Sequence, residues 1–157
     1  MINMRRRLWM PVTAALLSAA CGSDPVEDKR HVTALGGSIE SARLELARHE
    51  DAVTNTSTLT ALPVEIDRHD HTMGDIMGMM DISLGEMTSR CTGSGMGMVP
   101  DRMDALTSEM RSDRETMTAA ATLVDARNQC ATHIHRANGL LDEMQRSLDT
   151  IGCMMGR

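Results

Sequence analysis

The sequence predicts an all-α protein, an up-down-up-down four-helix bundle built by writing one helical hairpin twice, and three observations carry that expectation. Apolar residues recur at three–four spacing through four long segments. The period-two alternation of half-buried strands occurs nowhere. Sliding the chain by 64 residues lays it on itself: His69 meets His133, His71 meets His135, Met80 meets Met144, Ser83 meets Ser147 and Leu84 meets Leu148. Upstream the same shift pairs Glu45 with Glu109, Thr54 with Thr118, Thr58 with Thr122 and Leu59 with Leu123. The first repeat covers about residues 35–91 and the second about 99–153.

In helix 1 the inward seam is Val32, Leu35, Ile39, Ala42, Leu46, His49 and Val53. Gly36-Gly37 interrupts it, so the firm helix is expected to start near Ser38, a capping residue. Asn55 to Thr60 reads as a turn, and Pro63 suits the first turn of helix 2, where its missing N–H costs nothing. The second seam runs Ile66, His69, Met73, Ile76, Met80, Leu84 and Met87. Gly74, Gly78 and Gly85 fall inside this helix at a cost of about 1 kcal/mol each relative to Ala. Their spacing suggests close approach of a neighbouring helix. After a glycine-rich loop at 92–97, Pro100 and Asp101 open helix 3, with Met103, Leu106, Met110, Asp113, Met117 and Ala120 on its seam. The repeat places the next turn at 118–126, and Thr122-x-x-Asp125 has the pattern of a capping box. Helix 4 carries Cys130, His133, Ala137, Leu141, Met144, Leu148 and Ile151 and is expected to stop at Gly152. Four helices with short connections make an antiparallel bundle.

The first twenty residues have the order of a secretory signal: Arg5-Arg6-Arg7, an apolar run from Leu8 to Leu17, then Ser18-Ala19-Ala20 before Cys21. That run is too short to span a bilayer permanently. A cysteine after two small residues resembles the lipobox of bacterial lipoproteins, with Ser18 standing where Leu is favoured. The expected organisation is a signal peptide at 1–20, lipidation of Cys21, a polar tether at 21–30 and a bundle at 31–153. The chain would then sit in the bacterial cell envelope on the periplasmic side, most simply at the outer membrane, held by its lipid anchor.

Loss of the signal removes three arginines, leaving 13 basic against 22 acidic residues and a net charge of −9. Such a surface argues against nucleic acid as a partner. The one Trp is Trp9, and there is no Phe or Tyr, so base or sugar stacking and aromatic anchors are excluded after processing. Thirteen of the sixteen methionines follow the signal. Deformable Met fills gaps that aromatic residues would otherwise fill, and its thioether is also a soft ligand for Cu(I).

One constellation carries chemistry. His49, His69, Asp113 and His133 lie on inward seams, one per helix, at similar distances from the two turns that share an end of the bundle. They are expected to meet at one level of the core. Three imidazoles and a carboxylate match a zinc, copper, nickel or iron site between bundle helices. Glu45, Glu109 and Glu65, each a turn away, are candidate ligands or ring-orienting acceptors. Cys130 is a candidate soft ligand, an inert thiol or an intermolecular link, and Met73 a candidate ligand for Cu(I) with His69. His71 and His135 lie roughly 200° around their helices and cannot share the core site. Without a metal, the same four groups would be a hydrogen-bonded cluster that specifies helix register. Cys91 and Cys153, both at the opposite end, are the expected disulfide.

No C-x-x-C-H occurs, which argues against c-type haem. The lack of aromatic residues to line a porphyrin weighs against a third reading, a b-type haem bundle with His and Met axial ligands. With no G-x-S-x-G or phosphate-binding loop either, haem, nucleotide and catalysis are not expected. On Ser18-Ala-Ala-Cys21, on Arg68-His-Asp-His-Thr-Met73 and on the helical spacing of Met in helix 2, the chain resembles bacterial lipoproteins with small Met- and His-rich helical bundles. More loosely it is similar to periplasmic copper- and heavy-metal-handling helical proteins. The resemblance implies an envelope protein binding copper or zinc for buffering or sensing. Asp113 departs from it, standing where such bundles repeat His. The alternative is a non-catalytic structural or interaction lipoprotein that meets an unidentified protein partner.

Overall fold

The computed structural model describes residues 25–90 and 98–155. They form four helices: α1 (Pro25–Asn55), α2 (Leu62–Arg90), α3 (Met98–Thr118) and α4 (Leu123–Met155), with a 3₁₀ turn at Leu59–Ala61 before α2. No strand occurs among the described residues. α1 packs on α2 and α4, and α3 packs on α2 and α4, so the helices close a square around one core, as a four-helix bundle requires.

The inward seams are the ones the spacing predicts. Leu35, Ile39, Ala42, Leu46, His49 and Val53 of α1 are buried, as are all seven seam residues of α2, from Ile66 to Met87. Met103, Leu106, Met110, Asp113 and Met117 of α3 are buried, and so are the seven of α4 from Cys130 to Ile151. With no Phe, Tyr or Trp among the described residues, thioethers take up the irregular volume, Met73, Met80 and Met144 being fully buried.

The turns follow local chemistry. Thr56 donates its hydroxyl to Ala52 O at 2.8 Å and closes α1, and Pro63 occupies the first turn of α2. At α4 the Asp125 N–H donates to Thr122 Oγ1 at 3.1 Å while the Thr122 hydroxyl donates to Asp125 Oδ2 at 2.7 Å, the cap its pattern predicts. Arg43 of α1 pairs with Asp142 of α4 at 2.7 Å, and Arg114 of α3 with Asp67 of α2 at 2.8 Å and with Asp70. These exposed or partly exposed pairs contribute little to stability but hold the register of neighbouring helices.

Five expectations are corrected. α1 begins at Pro25, so residues 25–30 of the expected tether are helical. Gly36-Gly37 does not break it, and Ser38 is a buried residue within the helix instead of its cap. Two glycines cost about 2 kcal/mol of propensity; burying Leu35 and Ile39 on either side recovers more, at about 1.5–3 kcal/mol each. α3 starts at Met98, two residues early, because Val99 is fully buried and extends the seam. α4 continues through Gly152 to Met155. The glycines of α2 do not mark close helix approach either: a Cβ on Gly74 or Gly78 would meet nothing within 4 Å.

Residues 1–24, which include the signal and Cys21, lie outside the described residues, as do Cys91 and the side chain of Cys153. Among the described residues no helix is long and apolar enough to cross a membrane.

Because Gly74 and Gly78 hold helical backbone under open space, Gly74→Ala and Gly78→Ala should each raise stability by about 1 kcal/mol. Denaturant titration followed by far-UV circular dichroism measures this; a loss of stability would show that a neighbour does occupy that face.

Candidate metal centre

The four seam residues singled out by sequence are buried together. Exposure is 0% for His49, 1% for His69, 3% for Asp113 and 2% for His133, values typical of a Leu rather than of a polar side chain. The rings of His49 and His69 stack at a centroid distance of 3.9 Å, and that of His133 stands edge-on to them at 6.4 and 5.7 Å. His49 Nε2 lies 3.8 Å from Asp113 Oδ2.

Each ring is held from its outer side by a glutamate. His49 Nδ1 bonds Glu65 Oε1 at 2.9 Å, His69 Nδ1 bonds Glu45 Oε1 at 2.9 Å, and His133 Nδ1 approaches Glu109 Oε1 at 3.4 Å. The last two contacts are one interaction written twice: each spans 24 residues, and the 64-residue shift carries one onto the other. A carboxylate accepts only, so each Nδ1 carries the hydrogen and each Nε2 keeps its lone pair. Those three Nε2 atoms and Asp113 Oδ1 are buried with no hydrogen-bond partner.

Arginines reinforce the glutamates of α1 and α2. Arg68 donates to Glu45 Oε1 at 2.7 Å and to Glu65 through Nε at 2.8 Å and through Nη2, and Arg48 donates to Glu45 Oε2 at 3.2 Å. Burial holds the imidazoles neutral: it pulls His49 down to about 4 and His133 to about 4, and His69, also beside the other two rings, to about 2. The same desolvation pushes the Asp113 carboxyl up to about 7, helped by Asp70 and Glu109, and Glu65 up to about 7 against the pull of Arg48.

One ligand atom from each of His49, His69 and Asp113 lies within 4.8 Å of the others, so this buried group can hold a metal ion. Ligands about 2.0–2.1 Å from a tetrahedral zinc sit roughly 3.3 Å apart, a contraction that small tilts of the three side chains supply. His133 stands beside this trio. Glu45 and Glu109, candidate ligands by sequence, instead take the Nδ1 side of the rings, as does Glu65. Cys130 is buried and free, outside the trio, its thiol pushed by burial up to about 12 and hence inert. Met73, fully buried a turn beyond His69, belongs to the apolar core. His71 is solvated, its side chain 83% exposed beside Asp75, and His135 is exposed. Arg48 escaped the sequence reading altogether, and Arg68 entered it only within the His-x-His stretch; the i, i+3 spacing of Glu45 with Arg48 and of Glu65 with Arg68 was the available signal.

The shifted groups set the pH response of the metal-free chain. A histidine whose folded pKa lies below 6.5 takes its proton first in the unfolded state, so stability is lost as pH falls below 6.5. Asp113 and Glu65, raised to about 7, act oppositely over the same range but are outnumbered three to two. The melting temperature of the chelator-treated protein should therefore fall between pH 6.5 and 4.5, before ordinary surface carboxylates titrate. A flat or rising profile there would mean that the rings are protonated in the native state.

No family model, curated protein or solved structure matches the chain, and the chemistry of this layer rests on its own geometry.

Proposed function

We propose that the chain is a cell-envelope lipoprotein that binds one transition-metal ion, zinc or copper, inside its bundle for buffering or sensing, as a binding protein without catalysis. The observation that carries this reading is the set of four buried polar atoms without partners, three imidazole Nε2 and Asp113 Oδ1, on rings whose other nitrogens are already taken by glutamates. Left unpaired, each such atom costs about 1–3 kcal/mol, a large total against the roughly 5–15 kcal/mol that holds a domain folded. An ion that ligates them removes the cost. The Glu–His pairs are the arrangement that fixes the tautomer and aims Nε2 at a metal.

The donor set of imidazole nitrogens and one carboxylate suits Zn²⁺ or Cu²⁺. It suits Cu(I) less, since the buried trio offers imidazole and carboxylate donors and no thiolate. Support for the envelope comes from the charged, apolar and small-residue order of residues 5–20 ahead of Cys21.

Full-length chain titrated with Zn²⁺, Cu²⁺, Ni²⁺ and Cu(I) should take up one ion of a preferred kind. At a free concentration a hundredfold above Kd the ion should add about 2.7 kcal/mol to stability. The His49→Ala/His69→Ala/His133→Ala variant should lose that response, and Asp113→Asn should weaken it. Absence of binding, or an equal response from the triple variant, would replace this reading with the interaction module whose polar layer only sets register. For the anchor, Cys21→Ser should abolish incorporation of a labelled fatty acid and move the protein from the membrane to the soluble envelope fraction. Unchanged labelling would exclude Cys21 as the lipidated residue.

A further inference from the structure

The duplication that built the centre also supplies an internal comparison of its two faces. Under the 64-residue shift Glu45 and His69 of the α1–α2 face recur as Glu109 and His133 of the α3–α4 face, but Arg48 becomes Ser112 and Arg68 becomes Thr132. On the first face both arginines bond Glu45, and Arg68 also clasps Glu65, so a layer of guanidinium closes over the Glu–His pairs. Glu45 beneath them is only 5% exposed.

On the second face the corresponding space is open. A cavity of about 200 Å³ lies between α3 and α4, lined by Ser112, Asp113, Thr116, Gln129, Thr132 and His133 among others. It leads from the exposed Thr116 and Thr132 to the buried Asp113 and His133, that is, from solvent to the candidate ligands. It is large enough for several waters. Its walls present hydroxyl, amide and carboxylate oxygens, including a Gln129 Oε1 that is buried without a partner. They also present one guanidinium, the largely exposed Arg136, which reaches Glu109 Oε2 only at 3.9 Å where two arginines bond Glu45 directly on the first face.

A hydrated divalent cation loses its water in steps, and each step is easier where a protein oxygen replaces the water. The oxygen-lined face provides such replacements, whereas the guanidinium layer repels the ion. We propose that the α3–α4 cavity is the port of the metal centre, through which a divalent cation enters and leaves, and that the α1–α2 face is its sealed counterpart. This rests on the metal-binding reading above.

The first repeat dictates the test. Ser112→Arg with Thr132→Arg rebuilds the seal on the second face, where Glu109, met so far only by the longer contacts of His133 and Arg136, stands in the place that Glu45 holds on the first. The rate of Co²⁺ uptake by the full-length chain, followed by its visible absorption, and the rate of Co²⁺ extraction by a chelator are compared in parent and variant. Thr132→Arg alone, at an exposed position, serves as a second variant should the pair fail to fold, with circular dichroism reporting the fold of each. The expected result is an unchanged stoichiometry with uptake and extraction both slowed at least tenfold in the double variant, and slowed in the same direction in the single one. Equal rates in a folded variant that still binds one ion would overturn the port while leaving the metal centre standing. If the parent takes up Cu²⁺ but not Co²⁺, the same two rates are read with Cu²⁺; if it takes up none of Co²⁺, Zn²⁺ and Cu²⁺, the centre falls and the port with it.

Discussion

The constraint on which this molecule turns is the cost of taking three imidazoles and a carboxyl out of water into a core of Leu, Ile, Val and Met. A buried charge would be worse than a buried dipole, so the layer holds its rings neutral. Glutamates on the rim meet the Nδ1 hydrogens, and on the α1–α2 side arginines meet the glutamates, carrying the polar chain outward until it reaches solvent. The inward Nε2 atoms of the rings and Asp113 Oδ1 remain without partners. Everything else is arranged so that four helices bring one such group each to the same height. Unbroken seams set the rotation of the helices, the Thr122 cap sets the start of α4, and cross-helix arginines set the register.

Much of this was legible in the sequence. A histidine at a seam position, between leucines and methionines three or four residues away, has nowhere to point but inward, and His49, His69 and His133 all do so. The 64-residue repeat made their common level readable, because it located the α3–α4 turn where no proline or glycine marks it. The boundaries of α1 were harder. Gly36-Gly37 carries a local signal against helix, and only the burial of Leu35 and Ile39 against other helices, a tertiary effect, overrides it. The glycines of α2 misled in the opposite sense, since an open face and a tight crossing look the same in one dimension.

The roles of the glutamates could be narrowed but not assigned from spacing. A residue one turn from a histidine can ligate beside it or accept its hydrogen, and the choice depends on side-chain direction across a helix pair. Glu45 reaches His69 over 24 residues, a separation no local rule anticipates. The asymmetry between the two faces is the opposite case. Ser112 and Thr132 occupy the positions of Arg48 and Arg68 in any alignment of the repeats, yet the substitution acquires meaning only when one face is seen closed and the other open.

The repeat has a mechanical consequence as well. The Glu–His contacts that are written twice lie within the hairpins, Glu45 to His69 inside α1–α2 and Glu109 to His133 inside α3–α4, whereas the approach of His49 to Asp113 joins one hairpin to the other. Each hairpin therefore orients its own half of the layer. An ion taken up there would be held by both at once and would act as a rivet across the α1–α4 and α2–α3 seams. Its departure would weaken the bundle along the dividing line between its two copies, and separation of intact hairpins, more than fraying of single helices, is the mode of opening that this construction favours.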